Sequence, residues 1–486
     1  MPVITDPPLE VLPSSRMLIG ASTDVAPTCE GVPHRYAATG TETATVPFAR
    51  PEDVDAAVDR AAEAAIVWRN LPCERRRDLL LSFADRLRDD DDRLSAISVI
   101  DSAIKARGFG RLCAETLAYN AGWVDKLGGE IVTSYVGRGF DYTVPEPYGV
   151  VAVIIPWNAP ALTMTSVIAP ALAAGNAVVV KASELAPFAA LRIGELALEA
   201  GLPPGVVNVL AGDGQVGRCL TGHPGVQKIH FTGSTPAGRD VLAHAATNLT
   251  PVGLELGGKS GNLVFDDADL DVAAKLAVAA ATGLNGQVCT AGARILAHAG
   301  IYDELVDRIG TLMGRVVVGD PADEATTVGP VITDAAAVRI VGMIERAADS
   351  GARVVVGGRR MDGEYARGNF VEPTLVADVD PQSEIAQDEI FGPAISVTRF
   401  EDEDEAVEIA NGTRYGLAAY VQTHDADRAH RLAASLQAGM IYVNGGLRAH
   451  PPSAPFGGVK GSGFGRLGGR VGIEEFVHHK NVWMNT

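Results

Sequence analysis

Residues 147–180 read PYGVVAVIIPWNAPALTMTSVIAPALAAGNAVVV, a stretch without one charged side chain. By length alone it could be a membrane span. Pro156, Asn158, Pro160, Pro170 and Gly175 cut it into pieces too short to cross a bilayer as one helix. It therefore reads as strand, turn, helix and strand, all buried. Strands apolar on both faces belong to a parallel sheet covered by helices.

The same texture continues outward. The runs VVNVL (206–210), KIHF (228–231) and GLEL (253–256) alternate with helical patterns at 161–174, 186–200 and 235–247, as stacked βαβ units require. Upstream, 52–67 and 76–89 carry Ala, Leu and Val at helical spacing among charges. After Gly257 a second α/β texture has helical patterns at 269–284, 302–314 and 333–350 and strand-like runs at 353–356 and 394–398. Two segments fit neither region. IVTSYV and FDYTV flank Gly137-Arg138-Gly139 as a hairpin, and the tail FVHHKNVWM alternates like a strand. A hairpin without its own core wants a partner. The expected fold is α/β, with two doubly wound parallel-sheet domains plus a β-hairpin oligomerisation arm. The first domain would take 1–128 and 146–257, the second 258–448, and the arm 129–145 and 470–486.

Composition narrows the function. The 486 residues are 47% hydrophobic and 21% charged, a globular balance. Lys+Arg 41 against Asp+Glu 60 leaves a net charge of -19, which repels phosphate backbones and anionic headgroups, so neither nucleic acid nor membrane is an expected partner. Cys29, Cys73, Cys113, Cys219 and Cys289 are scattered with no CxxC pair, which argues against a disulfide framework or a metal site. The first twenty residues lack a basic start and an apolar run, so a cytoplasmic location is expected.

Several residues invite chemistry, each with a plainer alternative. Gly212-Asp213-Gly214-Gln215-Val216-Gly217 follows a strand and opens a helix, the context of a dinucleotide fingerprint, whereas Gly463-Phe464-Gly465-Arg466-Leu467-Gly468 follows none. Phe231-Thr232-Gly233-Ser234-Thr235 runs from strand to helix, where free amides attract pyrophosphate, or where Ser or Thr simply caps the helix. Lys181 and Glu184 sit at a strand end where a carboxylate can accept ribose hydroxyls; they could also be an exposed loop Lys and a helix-start Glu. Cys289 lies between small residues as an accessible thiol or an inert core one. Glu255 ends an apolar strand, where burial would make it a base near neutrality; otherwise it is a surface Glu. Asn158, between Pro156 and Pro160, holds a rigid amide suited to an oxyanion or to a turn.

Together these pieces resemble the aldehyde dehydrogenase superfamily. The likeness runs in order through PWNAP at 156–160, KASE at 181–184, FTGST at 231–235, ELGGKS at 255–260, GQVCTAG at 286–292, EIFGP at 389–393, NGTRYGLAAYV at 411–421 and PFGGVKGSGFGR at 455–466. The resemblance implies that Cys289 is the nucleophile, Glu255 the general base, and Asn158 with the Cys289 amide the oxyanion donors. It implies NAD as cofactor, with Lys181 and Glu184 on the adenosine ribose, Ser234 on the pyrophosphate, Glu389 on the nicotinamide ribose and Phe391 against the nicotinamide. Trp157, Gly214 and Gly217 would line the same groove, and Pro156, Gly233 and Leu256 complete the cofactor set. Glu184 would repel a 2′-phosphate, so NADP is the less favoured cofactor. The substrate would be a small-molecule aldehyde, and the assembly a homodimer or homotetramer.

Four places depart from the pattern, one of them Ala182, which replaces a frequent proline. Leu467 stands where a Glu is usual, Ala159 replaces a common large residue, and Asp101-Ser102-Ala103-Ile104 matches the usual Glu-x-Gly-Lys poorly. The expected reaction is aldehyde oxidation to the carboxylic acid through a thiohemiacetal and a thioester on Cys289. Acyl transfer to coenzyme A is an alternative within enzymes, and a silent NAD-binding oligomer one outside them.

Overall fold

A computed structural model of the chain describes residues 4–13, 17–23, 31–105, 107–133, 139–446 and 450–485. Its first sheet has six strands in the order Gly463–Phe464, Val252–Glu255, Lys228–Thr232, Val150–Ile154, Ala177–Ser183, Val207–Gly212. All neighbours are parallel except the Gly463–Phe464 edge, which pairs antiparallel with Val252–Glu255. The uncharged stretch is strand Val150–Ile154, helix Pro160–Ala174 and strand Ala177–Ser183, and both strands are buried throughout. Pro160 starts the helix, where its missing N–H costs nothing, and Gly175 at φ 103° ends it.

The second sheet has seven strands, ordered Arg353–Val356, Thr374–Ala377, Ala394–Phe400, Arg294–His298, Gly261–Val264, Ala418–Gln422, Met440–Val443. Here too one edge pair, Arg353–Val356 with Thr374–Ala377, is antiparallel and the rest are parallel. Each sheet is thus predominantly parallel, with one antiparallel edge strand.

Helices Pro51–Arg69, Cys73–Asp89, Asp91–Ser102 and Phe109–Ala121 precede the first sheet. The divergent stretch at 101–104 packs well. The buried Asp101 carboxylate accepts the amides of Phe188 (3.0 Å) and Ala189 (2.8 Å) and so caps helix Phe188–Glu199 from outside it. Burial pushes its pKa up to about 7. Ala103 occupies a left-handed conformation at φ 51°, where glycine would be unstrained.

A third, antiparallel sheet orders Val477–Asn485, Gly139–Pro147 and Ile131–Val132. The tail pairs along nine positions, from Val477↔Pro147 to Asn485↔Gly139. Ile131, Phe140, Trp483 and Met484 on these strands are exposed. Gly137 and Arg138 of the expected turn, and Cys29, lie outside the described residues. Among the described residues no helix is long and apolar enough to cross a membrane.

Candidate functional site

The carboxyl ends of the first sheet's parallel strands bring most of the flagged residues to one edge. In register, Ile154 pairs with Lys181 and Phe231, Ser183 with Gly212, and Thr232 with Glu255. Crevices at such edges are where open α/β sheets bind ligands.

Cys289 is reached through a loop with an unusual backbone. Leu284, Asn285 and Gly286 are all left-handed, at φ 46°, 58° and 73°. Asn285 holds this shape, because its Nδ2 donates to the carbonyls of Ala103 and Pro330 (both 2.9 Å) and its Oδ1 accepts the Gly329 amide (2.8 Å). Gln287 Oε1 accepts the Ile332 amide at 2.9 Å, and Asn158 Nδ2 donates to the Gln287 carbonyl at 2.8 Å. Two residues on, the Cys289 side chain is partly exposed, into a cavity of about 530 Å³ that Asn158, Thr232, Glu255, Thr290 and Leu467 also line. The three residues expected to carry the chemistry therefore share one cavity.

Burial, with the charges of Glu389 and Glu255 adding, pushes the Cys289 thiol up to about 12, and the backbone amides of Cys289 and Thr290 oppose the shift. At neutral pH the resting group is the thiol. Glu255 is 3% exposed, and neither carboxyl oxygen has a hydrogen-bond partner. Burial drives its pKa well above the usual carboxylate range, Glu475 adds to this and Arg466 opposes it. Such a group is poised as a base.

The glycines of Glu255-Leu256-Gly257-Gly258 are needed by what lies against them. A Cβ on Gly257 would stand 2.2 Å from Glu389 Oε2, and one on Gly258 would stand 2.4 Å from the Cys289 carbonyl oxygen. The Gly258 amide donates to Glu389 Oε1 at 3.1 Å. Burial pushes Glu389 up to about 7 and brings the neighbouring Lys259 down to about 7. Phe391, left-handed at φ 52°, meets the Trp157 ring edge-on at 5.4 Å.

The remaining cofactor candidates lie along the strand ends. Lys181 is buried, contrary to the exposed-loop alternative, with Nζ 3.6 Å from Glu184 Oε2. Gly214 opens helix Gly214–Thr221, capped by Asp213, and a Cβ on Gly217 would reach no atom closer than 3.9 Å. Gly233 has no room for a Cβ beside Phe231 (2.6 Å). Ser234 caps helix Thr235–Ala245 through the Ala237 amide (3.4 Å), so the plainer alternative holds for its hydroxyl here. Leu256 packs onto Gly238, and Pro156 opens the half-buried turn that carries Trp157 and Asn158. The second glycine fingerprint is itself the antiparallel edge strand and its turn.

The family model for the aldehyde dehydrogenase family matches residues 26–482. The chain belongs to the aldehyde dehydrogenase family. An aldehyde dehydrogenase-like protein of Schizosaccharomyces pombe is 40% identical over 448 residues, covering 91% of this chain and 90% of its own. The crystal structure of PnpE from Pseudomonas sp. WBC-3 superposes with a TM-score of 0.94 at 36% identity, covering 97% of both chains. That of betaine aldehyde dehydrogenase from Staphylococcus aureus, in complex with NAD+, gives 0.93 at 34% identity over 98% of this chain and 96% of that one.

In this aldehyde dehydrogenase, Leu467 lies on the cavity wall and is bonded both ways to Phe456, so the usual Glu is replaced by hydrocarbon. Asn285, Gln287 and Lys259 were not singled out from sequence, and Asp101 was noted only as part of a divergent stretch. For the first two, an Asn-Gly-Gln run ahead of a candidate nucleophile was the available signal. Lys259 gave none, because only the fold buries it beside Glu389.

Proposed function

We propose that the protein oxidises an aldehyde to its carboxylic acid with NAD, Cys289 being the nucleophile, Glu255 the general base and Asn158 an oxyanion donor. The observation that carries the reading is the single cavity shared by these three side chains. The thiol is protonated at rest, so attack begins when Glu255 takes its proton and sulfur adds to the carbonyl carbon. Asn158 Nδ2, fixed by the Gln287 carbonyl through one hydrogen, offers its other to the developing alkoxide beside the Cys289 amide. Collapse of that adduct, in which the carbon's C–H bond breaks and its hydride leaves, re-forms the C=O as a thioester on Cys289. Glu255 then deprotonates a water that hydrolyses it.

The pattern of small residues and strand ends suits a dinucleotide, and the buried Glu389 beside Trp157 and Phe391 suits its nicotinamide ribose. When bound, NAD supplies the hydride acceptor. Pro156, Trp157, Lys181, Glu184, Gly214, Gly217, Gly233, Ser234, Leu256, Glu389 and Phe391 would form its groove, with the half-exposed Glu184 carboxylate disfavouring NADP. A kcat/KM for NADP equal to that for NAD would overturn this preference. Glu255 inside the cavity supports water over coenzyme A as acyl acceptor.

Residues 1–128 and 146–257 form the cofactor-binding domain in this reading, 258–448 the catalytic domain, and 129–145 with 470–486 an arm joining subunits into a dimer or tetramer. Exposed Ile131, Phe140, Trp483 and Met484 on the arm support it; a monomer by light scattering would refute it. Free Cys73, Cys113, Cys219 and Cys289 fit the reducing cytoplasm, which cell fractionation tests. The main experiment is Cys289→Ala, which must abolish NADH formation across an aldehyde panel.

A further inference from the structure

One face of the strand pair Lys228–Thr232 and Val252–Glu255 carries polar groups whose hydrogen-bonding capacity is unmet. Side chains alternate along a strand, so Lys228, His230 and Thr232 share a face, joined in register by Gly253 opposite His230 and Glu255 opposite Thr232. Thr232 Oγ1, both Glu255 oxygens and His230 Nε2 are buried without a partner. Buried polar atoms of native proteins are rarely left unpaired, and a row of them is the setting for ordered water. At the far end Lys228 Nζ lies 3.0 Å from Glu475 Oε2 and 5.6 Å from the centre of the Tyr148 ring.

Glycines bring the backbone close against this row, where any side chain would crowd its polar atoms. A Cβ on Gly253 would stand 2.9 Å from His230 Nδ1 and 3.9 Å from Glu475 Oε2. One on Gly457 would stand 2.7 Å from Glu255 Oε1 and 3.0 Å from Arg466 Cδ, and one on Gly465 3.3 Å from Glu475 Oε1. The Gly457–Arg466 turn thus touches both carboxyl groups, and the Arg466 amide donates to Glu475 Oε1 at 3.3 Å. Glu255 is 3% exposed, whereas the Glu475 side chain is 26% exposed, so the row runs from the interior to solvent.

We propose that Glu475 is the outlet of a water-bridged proton path that carries the proton taken up by Glu255 along this strand face to solvent. The proposal rests on the reading of Glu255 as general base. In acylation Glu255 gains the thiol proton and must lose it before it can deprotonate water. On the path its O–H bond breaks as a water O–H forms, that water passes a proton to the Glu475 carboxylate, and Glu475 releases it to bulk water. No electron moves. His230, held neutral by burial, gives the waters a nitrogen without adding charge. Lys228 and the Arg466 amide hold Glu475 in place.

Glu475→Gln keeps an oxygen for the Arg466 amide but cannot carry the proton. Its first-turnover burst of NADH should stay near one per subunit while steady-state kcat falls about tenfold. KM for aldehyde should hold, and the solvent deuterium isotope effect on kcat should rise. In Glu475→Ala, added formate should restore kcat severalfold, which a merely structural role would not allow. Unchanged kcat in Glu475→Gln, or no rescue by formate, overturns the proposal. Should the Glu475 variants fail to fold, Gly253→Ala decides: it narrows the row with both carboxyls intact, and an unaltered kcat overturns the path. Glu255→Gln run in parallel separates the two readings. If it turns over at the wild-type rate, Glu255 is not the base; if it is dead while Glu475→Gln is normal, only the outlet fails.

Discussion

Asn158 Nδ2 donates to the carbonyl oxygen of Gln287 across 2.8 Å, tying the turn after the first sheet strand to the loop two residues before the candidate nucleophile. The bond fixes the amide plane at the cavity, so an oxyanion would meet a donor that needs no reorientation. On the proposed mechanism, Asn158→Ala lowers kcat about 10²–10³-fold, the usual effect of losing one such donor. KM for NAD should change little. Steady-state kinetics check it, and a kcat within threefold of wild type would sink the role.

Glu255→Gln should form little NADH even in the first turnover, since the amide can take neither the thiol proton nor one from water. In the wild type the raised pKa of Glu255 means that protonation disables the base at the acid side, so kcat keeps climbing with pH above the ordinary carboxylate range. A flat profile from about pH 6 to about pH 9 contradicts this.

Glu389→Gln tests what the buried carboxyl costs. Its folded pKa of about 7 lies above the ordinary 4.5, so the folded state binds the proton more tightly. Stability from this group is complete below about pH 4.5 and is lost as pH rises to about 7, by roughly 3 kcal/mol at most. The variant should therefore melt higher than wild type at pH 8, with the gain shrinking toward pH 5, while its KM for NAD rises. Equal melting curves at both pH values would refute it.

Ala103→Gly relieves a left-handed alanine and should raise stability by up to about 1 kcal/mol without altering kcat. A lower melting temperature would mean that the buried methyl contributes more than the strain costs.

Gly257→Ala places a methyl 2.2 Å from Glu389 Oε2. The carboxylate must move, so KM for NAD should rise at least tenfold while the protein stays folded. Titration of NAD by protein fluorescence measures it.

The first sheet was legible because its strands are buried on both faces and read as continuous apolar runs, as in VVAVII. Strands such as Arg294–His298 and Met440–Val443 were not: Arg294 and Tyr442 interrupt their apolar pattern, and only the fold brings them beside their neighbours. Cys289, Glu255 and Asn158 were singled out by chemistry and resemblance, and all three line one cavity. The supports were hidden for a physical reason. Asn285 acts through carbonyls of residues 103 and 330, contacts between segments far apart in the chain that no local pattern encodes. Asp101 likewise caps a helix 87 residues downstream.

Strand Val477–Asn485 is made long after its partner Gly139–Pro147, Lys480 and Glu146 being 334 residues apart. At ribosomal speeds of about 5–20 residues per second, the earlier strand waits about 20–70 s with one edge bare. Completion of that sheet thus reports that translation has passed residue 485, and a chain that stops short of residue 477 would display an unpaired ribbon to chaperones and proteases.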